Sequence, residues 1–194
     1  MYSLLLDSSN VELIVGVAKD DILLDEIRYN AWQKQSEFMV NEIDKILKRN
    51  EINPKEINEV IVSIGPGSYT GLRIALTIAK IYGVALNVDI YALSSLQILQ
   101  KRDETSICLM NARSNRSYIG IYNNDTCLLK DKVLTNDEVK TLIENNPSYK
   151  ICGEVEYLSI KNEKSDTLIN MLLLKNESNK VKDILSLKAL YLKD

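Results

Sequence analysis

The stretch Glu59–Leu86, EVIVSIGPGSYTGLRIALTIAKIYGVAL, constrains this chain more than any other. Val60-Ile61-Val62-Ser63-Ile64 is a short apolar run closed by Gly65-Pro66-Gly67, the pattern of a buried strand ending at a turn. After a loop over Gly65–Gly71 the period changes. Between Leu72 and Leu86 only Arg73, Thr77 and Lys80 are strongly polar, and at about 3.6 residues per turn they share one side of a helix. The spacing therefore predicts a helix buried almost all round. Ile74, Ile78, Ile81 and Ala85 form a largely β-branched stripe suited to a sheet. Ala75, Ala79 and Gly83, flanked by Leu72, Leu76 and Leu86, form a small-residue stripe that lets a second helix or a partner protein approach closely. A core helix within one domain is the plainer alternative.

The loop also has two readings. Glycines between a strand and a helix N-terminus can aim backbone N–H groups at an anion, with Ser68 or Thr70 capping the helix or binding phosphate. A purely structural turn explains the spacing at least as well. The Walker A pattern fails, because it needs glycine at position 70 and lysine at 71, where the chain has Thr70 and Gly71. The dinucleotide fingerprint GxGxxG fails at Thr70 for the same reason.

Other segments fill out an α/β chain. Tyr2–Asp7, Val11–Ala18 and Ile22–Tyr29 read as three strands of an antiparallel meander joined by polar turns. Helical periodicity runs from Ser36 to Asn50, with Met39, Val40, Ile43, Ile46 and Leu47 on one side. Asn53-Pro54-Lys55-Glu56 is a capping pattern before the next strand. Val88–Ala92 is a further strand, and Ser94 can cap a helix through Leu96, Ile98 and Leu99. A second unit starts near Thr105, with strands at Ile107–Met110 and Ser117–Tyr122 around an Asn111-Ala112-Arg113 turn. Thr135–Glu138 is a capping box opening a helix to about Asn145, and Tyr149–Gly153 is a strand. The predicted units are residues 1–104 and a smaller 105–194. Lys161–Asp194 is uninformative.

Composition excludes several chemistries. The chain has no histidine, which removes imidazole-based nucleophile activation, proton shuttling and metal ligation together. Cys108, Cys127 and Cys152 are odd in number and widely spaced, which fits free thiols in a reducing compartment. Neither a signal peptide nor an apolar run of about 18 residues is visible, so the expected address is cytoplasmic. With a net charge of −3 and mixed signs, the chain lacks the basic stripe of a protein that grips RNA alone. The small cluster Lys45, Lys48 and Arg49 is explained by a solvated helix face.

Gly65-Pro66-Gly67-Ser68-Tyr69-Thr70-Gly71-Leu72-Arg73-Ile74, followed by Ala79-Lys80 and Leu93-Ser94-Ser95-Leu96, resembles the signature of the TsaB (YeaZ) family. That family reads GPGSFTGLRIG, AKGLA and VSSLE at corresponding distances. The resemblance covers residues 1 to about 122 and thins to a closing motif, where Tyr191-Leu192-Lys193 stands for YLR and Ala189 replaces a proline. It implies the actin, hexokinase and Hsp70-like (ASKHA) fold of two ribonuclease H-like half-domains, the second reduced. It also implies a non-catalytic partner of TsaD, working with the ATPase TsaE, in forming N6-threonylcarbamoyladenosine at position 37 of ANN-decoding tRNAs. On that view tRNA is met through the complex and the metal belongs to TsaD, whose HxxxH this histidine-free chain cannot build.

The resemblance nominates two sets of residues. Asp7-Ser8-Ser9 stands where active superfamily members keep a phosphate loop and a magnesium-associated Asp. Asn111-Ala112-Arg113 stands for the family's DAR, with an amide in place of the carboxylate, a poorer ligand for a hard cation. Together with Gly65, Gly67, Ser68, Thr70 and Gly71 these are the candidate nucleotide or phosphate residues, although no cofactor is expected and ATP or ADP binding is left open. Gln35 stands where many relatives have His. Met39, Ile43 and Leu47, with Leu72, Ala75, Leu76, Ala79 and Gly83, are the candidate partner interface. Ala79→Glu is then expected to abolish a TsaD complex while leaving the chain soluble. Two other readings stay open: an independent ATPase or small-molecule kinase using Asp7, and a self-associating homodimer through the same helix face.

Overall fold

The computed structural model describes residues 1–31 and 34–192, without the side chain of Ser36. Lys193 of the closing motif lies outside the described residues. Two sheets carry the chain. The first has the order β3-β2-β1-β4-β5, built from β1 (Tyr2–Asp7), β2 (Glu12–Lys19), β3 (Ile22–Asn30), β4 (Ile57–Ser63) and β5 (Asp89–Leu93). The meander is antiparallel, with Leu4 opposite Val17 and Leu6 opposite Val15, and β4 joins β1 in parallel with Leu4 opposite Val60. The second sheet has the order β8-β7-β6-β9, from β6 (Ser106–Arg113), β7 (Arg116–Asn123), β8 (Thr126–Thr135) and β9 (Lys150–Gly153). Its plan of three antiparallel strands, a helix and a parallel strand repeats the opening of the first sheet. This is the α/β fold expected, with a reduced second copy.

Alternation along the strands decides which face each helix covers. Leu4, Leu6, Val15, Val17, Val60 and Val62 point to one side, where α1 (Gln35–Arg49) and α2 (Tyr69–Leu86) pack. Leu5, Ile14, Ile61 and Leu93 point to the other side and meet Leu168, Met171 and Leu172 of a short helix, α4 (Thr167–Leu174). In the second sheet Ile107, Leu109, Ile119 and Ile121 pack on Val139 of α3 (Asn136–Glu144). Both predicted capping boxes form, at Asn53/Glu56 and at Thr135/Glu138.

Several expectations need correction. The helix predicted after Ser94 is a single 3-10 turn, Gln97–Leu99, although the Ser94 hydroxyl does accept the Leu96 and Gln97 N–H groups. Asn111-Ala112-Arg113 belongs to β6, and the turn falls at Ser114-Asn115. Residues 105–194 are not one unit. The second sheet does begin at Ser106, but α4 and the strap after it return to the first sheet. Val181 N–H donates to Ile90 O at 2.8 Å, Leu190 N–H donates to Ile64 O at 2.7 Å, and Leu187 sits in the α1–α2 core. Lys175, just past α4, pins this return by pairing with buried Glu59 of β4 at 2.7 Å and with Asp21 at 2.5 Å. Its ammonium is pulled in two directions: burial pushes its pKa down, and the two carboxylates more than offset this, so the net shift is upward.

A polar tie also joins the halves. Ser94, in the loop after β5, donates to Asp131 Oδ2 of β8 at 2.5 Å, and Tyr122 of β7 donates to the other oxygen. Burial raises the Asp131 pKa, and the two hydroxyl donors hold the rise back.

Candidate functional site

The three motifs singled out in the sequence meet at one place. Ser9, Gly67, Ser68, Asn111 and Arg113 line a cleft of about 160 Å³ between the two halves, closed by Tyr118 and Glu154. The meeting follows from topology, because β1, β4 and β6 all end toward it.

Backbone proximity dominates the chemistry at this cleft. A Cβ on Gly67, whose φ is +151°, would lie 2.1 Å from Ser9 O, and one on Gly71 would lie 1.9 Å from Ser8 O. Only glycine permits such an approach. Three of the loop's donors are turned inward: Ser68 N–H donates to Ser9 O at 2.6 Å, Gly71 N–H to Ser68 Oγ at 3.3 Å, and Gly65 N–H to Ser95 Oγ at 3.0 Å. Ser68 is the helix cap, so α2 starts at Tyr69, three residues earlier than the sequence pattern implies. Thr70 is an exposed first-turn residue and not the cap.

The remaining nominated residues are equally committed. Asp7 is 4% exposed, and its Oδ1 accepts from Ser9 N–H at 3.0 Å and from the Ser63 hydroxyl. Ser8 is fully buried and donates to Gly71 O at 2.8 Å. Asn111 Oδ1 accepts from Arg113 N–H at 2.8 Å, and Asn111 N–H donates to Glu154 at 3.1 Å. Asn111 brings an amide where the family pattern has a carboxylate, a poorer ligand for a hard cation, and the carboxylate that lines the cleft is that of Glu154. Among the described residues no group of three or more His, Cys, Asp or Glu is placed to hold a metal. Gln35 is buried, and its amide donates to Asn10 O at 3.1 Å, a structural use for the position.

The proposed interface residues are not on the surface. Met39, Leu72, Ala75 and Ala79 are fully buried, Leu47 is 2% exposed, Leu76 4% and Ile43 5%, and Gly83 is buried too. The physical reason is that the small stripe of α2 faces the chain's own sheet and strap: a Cβ on Gly83 would lie 2.7 Å from Ile90 and 2.8 Å from Ile184. The stripe does mark close approach, but by the molecule's own segments. The helix is not buried all round. Its outward side carries Arg73 and Thr77, then Ile81 at 58% exposure and Val84 at 64%. Val40, expected on the inner side of α1, is exposed as well, and Leu185 of the strap is open beside α2, where its carbonyl accepts from Lys80 Nζ at 3.2 Å. One sequence signal could have found this ridge. Ile81 and Val84 follow Thr77 by four and seven residues, on the side that the polar residues already identify as outward.

Comparison with known proteins adds to this geometry. Residues 30–147 match the family described as TsaD: tRNA N6-adenosine threonylcarbamoyltransferase. The chain is 30% identical over 200 aligned positions to the uncharacterized protein MG208 of Mycoplasma genitalium, covering 100% of this chain and 95% of that one. It is 29% identical to the tRNA threonylcarbamoyladenosine biosynthesis protein TsaB of Bacillus subtilis over 69% of this chain and 60% of that protein. The chain belongs to the TsaD family, among its TsaB (YeaZ) members. The structure of YeaZ from Pseudomonas aeruginosa superposes with a TM-score of 0.82 at 18% identity, over 98% of this chain and 99% of that one, which establishes the ASKHA-type fold. Membership of the TsaD family rests on more than the glycine loop, since the match extends from before α1 into the second sheet. Among the described residues no helix is long and apolar enough to cross a membrane.

Proposed function

We propose that this chain acts in tRNA threonylcarbamoyladenosine biosynthesis as a non-catalytic partner subunit of TsaD, alongside TsaE, in the cytoplasm, and meets tRNA through that complex. The observation that carries the reading is the pairing of a chemically committed cleft with an uncovered apolar ridge. The family's candidate reactive residues spend their hydrogen bonds inside the fold, whereas Ile81, Val84 and Val40 leave apolar side chains in water on neighbouring helices. Exposed apolar residues grouped on one face mark an interaction surface. An independent ATPase or kinase using Asp7 is the catalytic alternative; Ser9 N–H and the Ser63 hydroxyl both bond its Oδ1, so Oδ2 is the oxygen such chemistry would use, on a side chain only 4% exposed. Pairing of the ridge with a second copy is the competing use of the face, and one face cannot serve both partners at once.

The test is a reconstituted assay on an ANN-decoding tRNA with TsaD, TsaE and the threonylcarbamoyl donor supplied. Modification that requires this chain, and no modification by this chain alone, is the expected result. Equal modification in its absence overturns the reading.

A further inference from the structure

We propose that the cleft between α2 and the C-terminal strap receives an acidic segment of the partner protein. The inference rests on the partner-subunit reading above and names what that subunit must bring. The cleft encloses about 300 Å³, with Tyr69, Arg73, Lys80, Lys188 and Tyr191 around an apolar floor, and among the described residues no carboxylate lines it. Among the described residues none of its three cations forms an ion pair. Several cations elsewhere are matched by carboxylates, Arg49 by Asp25 at 2.6 Å, Lys180 by Asp89 at 2.7 Å and Lys175 by Glu59 at 2.7 Å, whereas this cleft gathers three with none beside them. In a chain of net charge −3, three cations without carboxylates around one hollow form a local charge reversal.

The cleft is also built. Tyr69 and Tyr191 stack with centres 5.3 Å apart, the Arg73 guanidinium lies 4.9 Å from the Tyr69 ring centre, and its Nη1 donates to the Tyr69 hydroxyl at 2.5 Å. These contacts fix the guanidinium against the ring and leave its remaining donors for a carboxylate, the geometry in which arginine binds best. Lys80 holds the strap through Leu185 O. Arg73 and Thr77 lie on the same outward side of α2 as Ile81 and Val84, so a polypeptide seated on the ridge passes the mouth of the cleft. A nucleic-acid strand would need a longer basic track than three residues beside an apolar ridge. A protein segment with Asp or Glu next to apolar residues matches both.

The experiment measures binding of the TsaD-type subunit to wild type, to the Arg73→Glu/Lys188→Glu double variant and to Val84→Asp, at about 50 and about 500 mM NaCl, where screening differs most. The double variant should bind about tenfold more weakly at low salt. Wild type should lose a comparable factor at high salt, whereas the double variant, whose cleft is net negative and repels an acidic segment, should bind no more weakly at high salt than at low. Both substituted side chains are exposed, and unchanged thermal unfolding confirms an intact fold. Wild-type affinity in the double variant at both salts, or displacement of the subunit by an RNA oligonucleotide that needs Arg73 and Lys188, overturns the inference. Weakening by Val84→Asp with no effect of the double variant removes the acidic segment and leaves the partner reading standing. No binding by wild type removes both.

Discussion

The two sides of α2 both carry apolar residues and have opposite fates. One carries Ala75, Ala79 and Gly83 and is sealed against β5 and the strap; the other carries Thr77, Ile81 and Val84 and faces water. Small residues report only that something comes close, and in this chain the neighbour is the chain itself. Bulky β-branched residues left outside are the feature that calls for a partner.

Ala79→Glu strikes the inner side hardest. It places an unpaired carboxylate at a fully buried position, at a cost of about 3–5 kcal/mol, so insoluble or unfolded protein is the expected outcome, read by expression and thermal denaturation. This replaces the soluble, binding-defective protein that the sequence pattern suggests. Gly83→Val comes next. Its methyl groups would crowd Ile90 and Ile184, costing about 1–3 kcal/mol in a urea titration. Lys175→Met probes the segment that closes the inner side. It leaves buried Glu59 with the Ser3 hydroxyl, which donates to it at 2.5 Å, and should cost about 2 kcal/mol, short of the full penalty for a broken buried pair because Asp21 and the lysine edge are open to water.

The smallest expected effect on folding at neutral pH lies away from α2, at the seam between the halves. Asp131 is held above its ordinary value of 3.8 by burial. The folded protein therefore keeps that proton to higher pH than the unfolded chain does. Its contribution to stability is present below 3.8 and is lost as pH rises through the raised value. In denaturant titrations across this window wild type should lose stability relative to Asp131→Asn as pH rises, while binding of a partner to the α2 ridge stays unchanged.

Much of the architecture was legible because the signals were local. Continuous apolar runs marked β1 and β4, the capping boxes at Asn53 and Thr135 formed as read, and the glycine loop, Asp7–Ser9 and Asn111–Arg113 do converge. Two elements were missed for physical reasons. Strand β8 is an edge strand whose Lys130, Asp131 and Lys132 break the apolar run, and α4 is an eight-residue wedge, apolar but for Thr167 and Asn170 and too short to show a helical period. The direction of the small stripe was illegible for a different reason, since close packing within a chain and between chains selects the same residues. The glycine loop reads as either a phosphate cradle or a turn; the Gly65, Ser68 and Gly71 N–H groups go to Ser95, Ser9 and Ser68, which is the use a turn makes of them.

The central claim is that the outward ridge of α2 is where the partner docks. Isothermal titration of the TsaD-type subunit into Val84→Asp, with the melting temperature of the variant recorded alongside, tests it most directly. The account predicts a fold as stable as wild type to within about 0.5 kcal/mol and an affinity at least tenfold lower. Wild-type affinity in a folded Val84→Asp protein would contradict it.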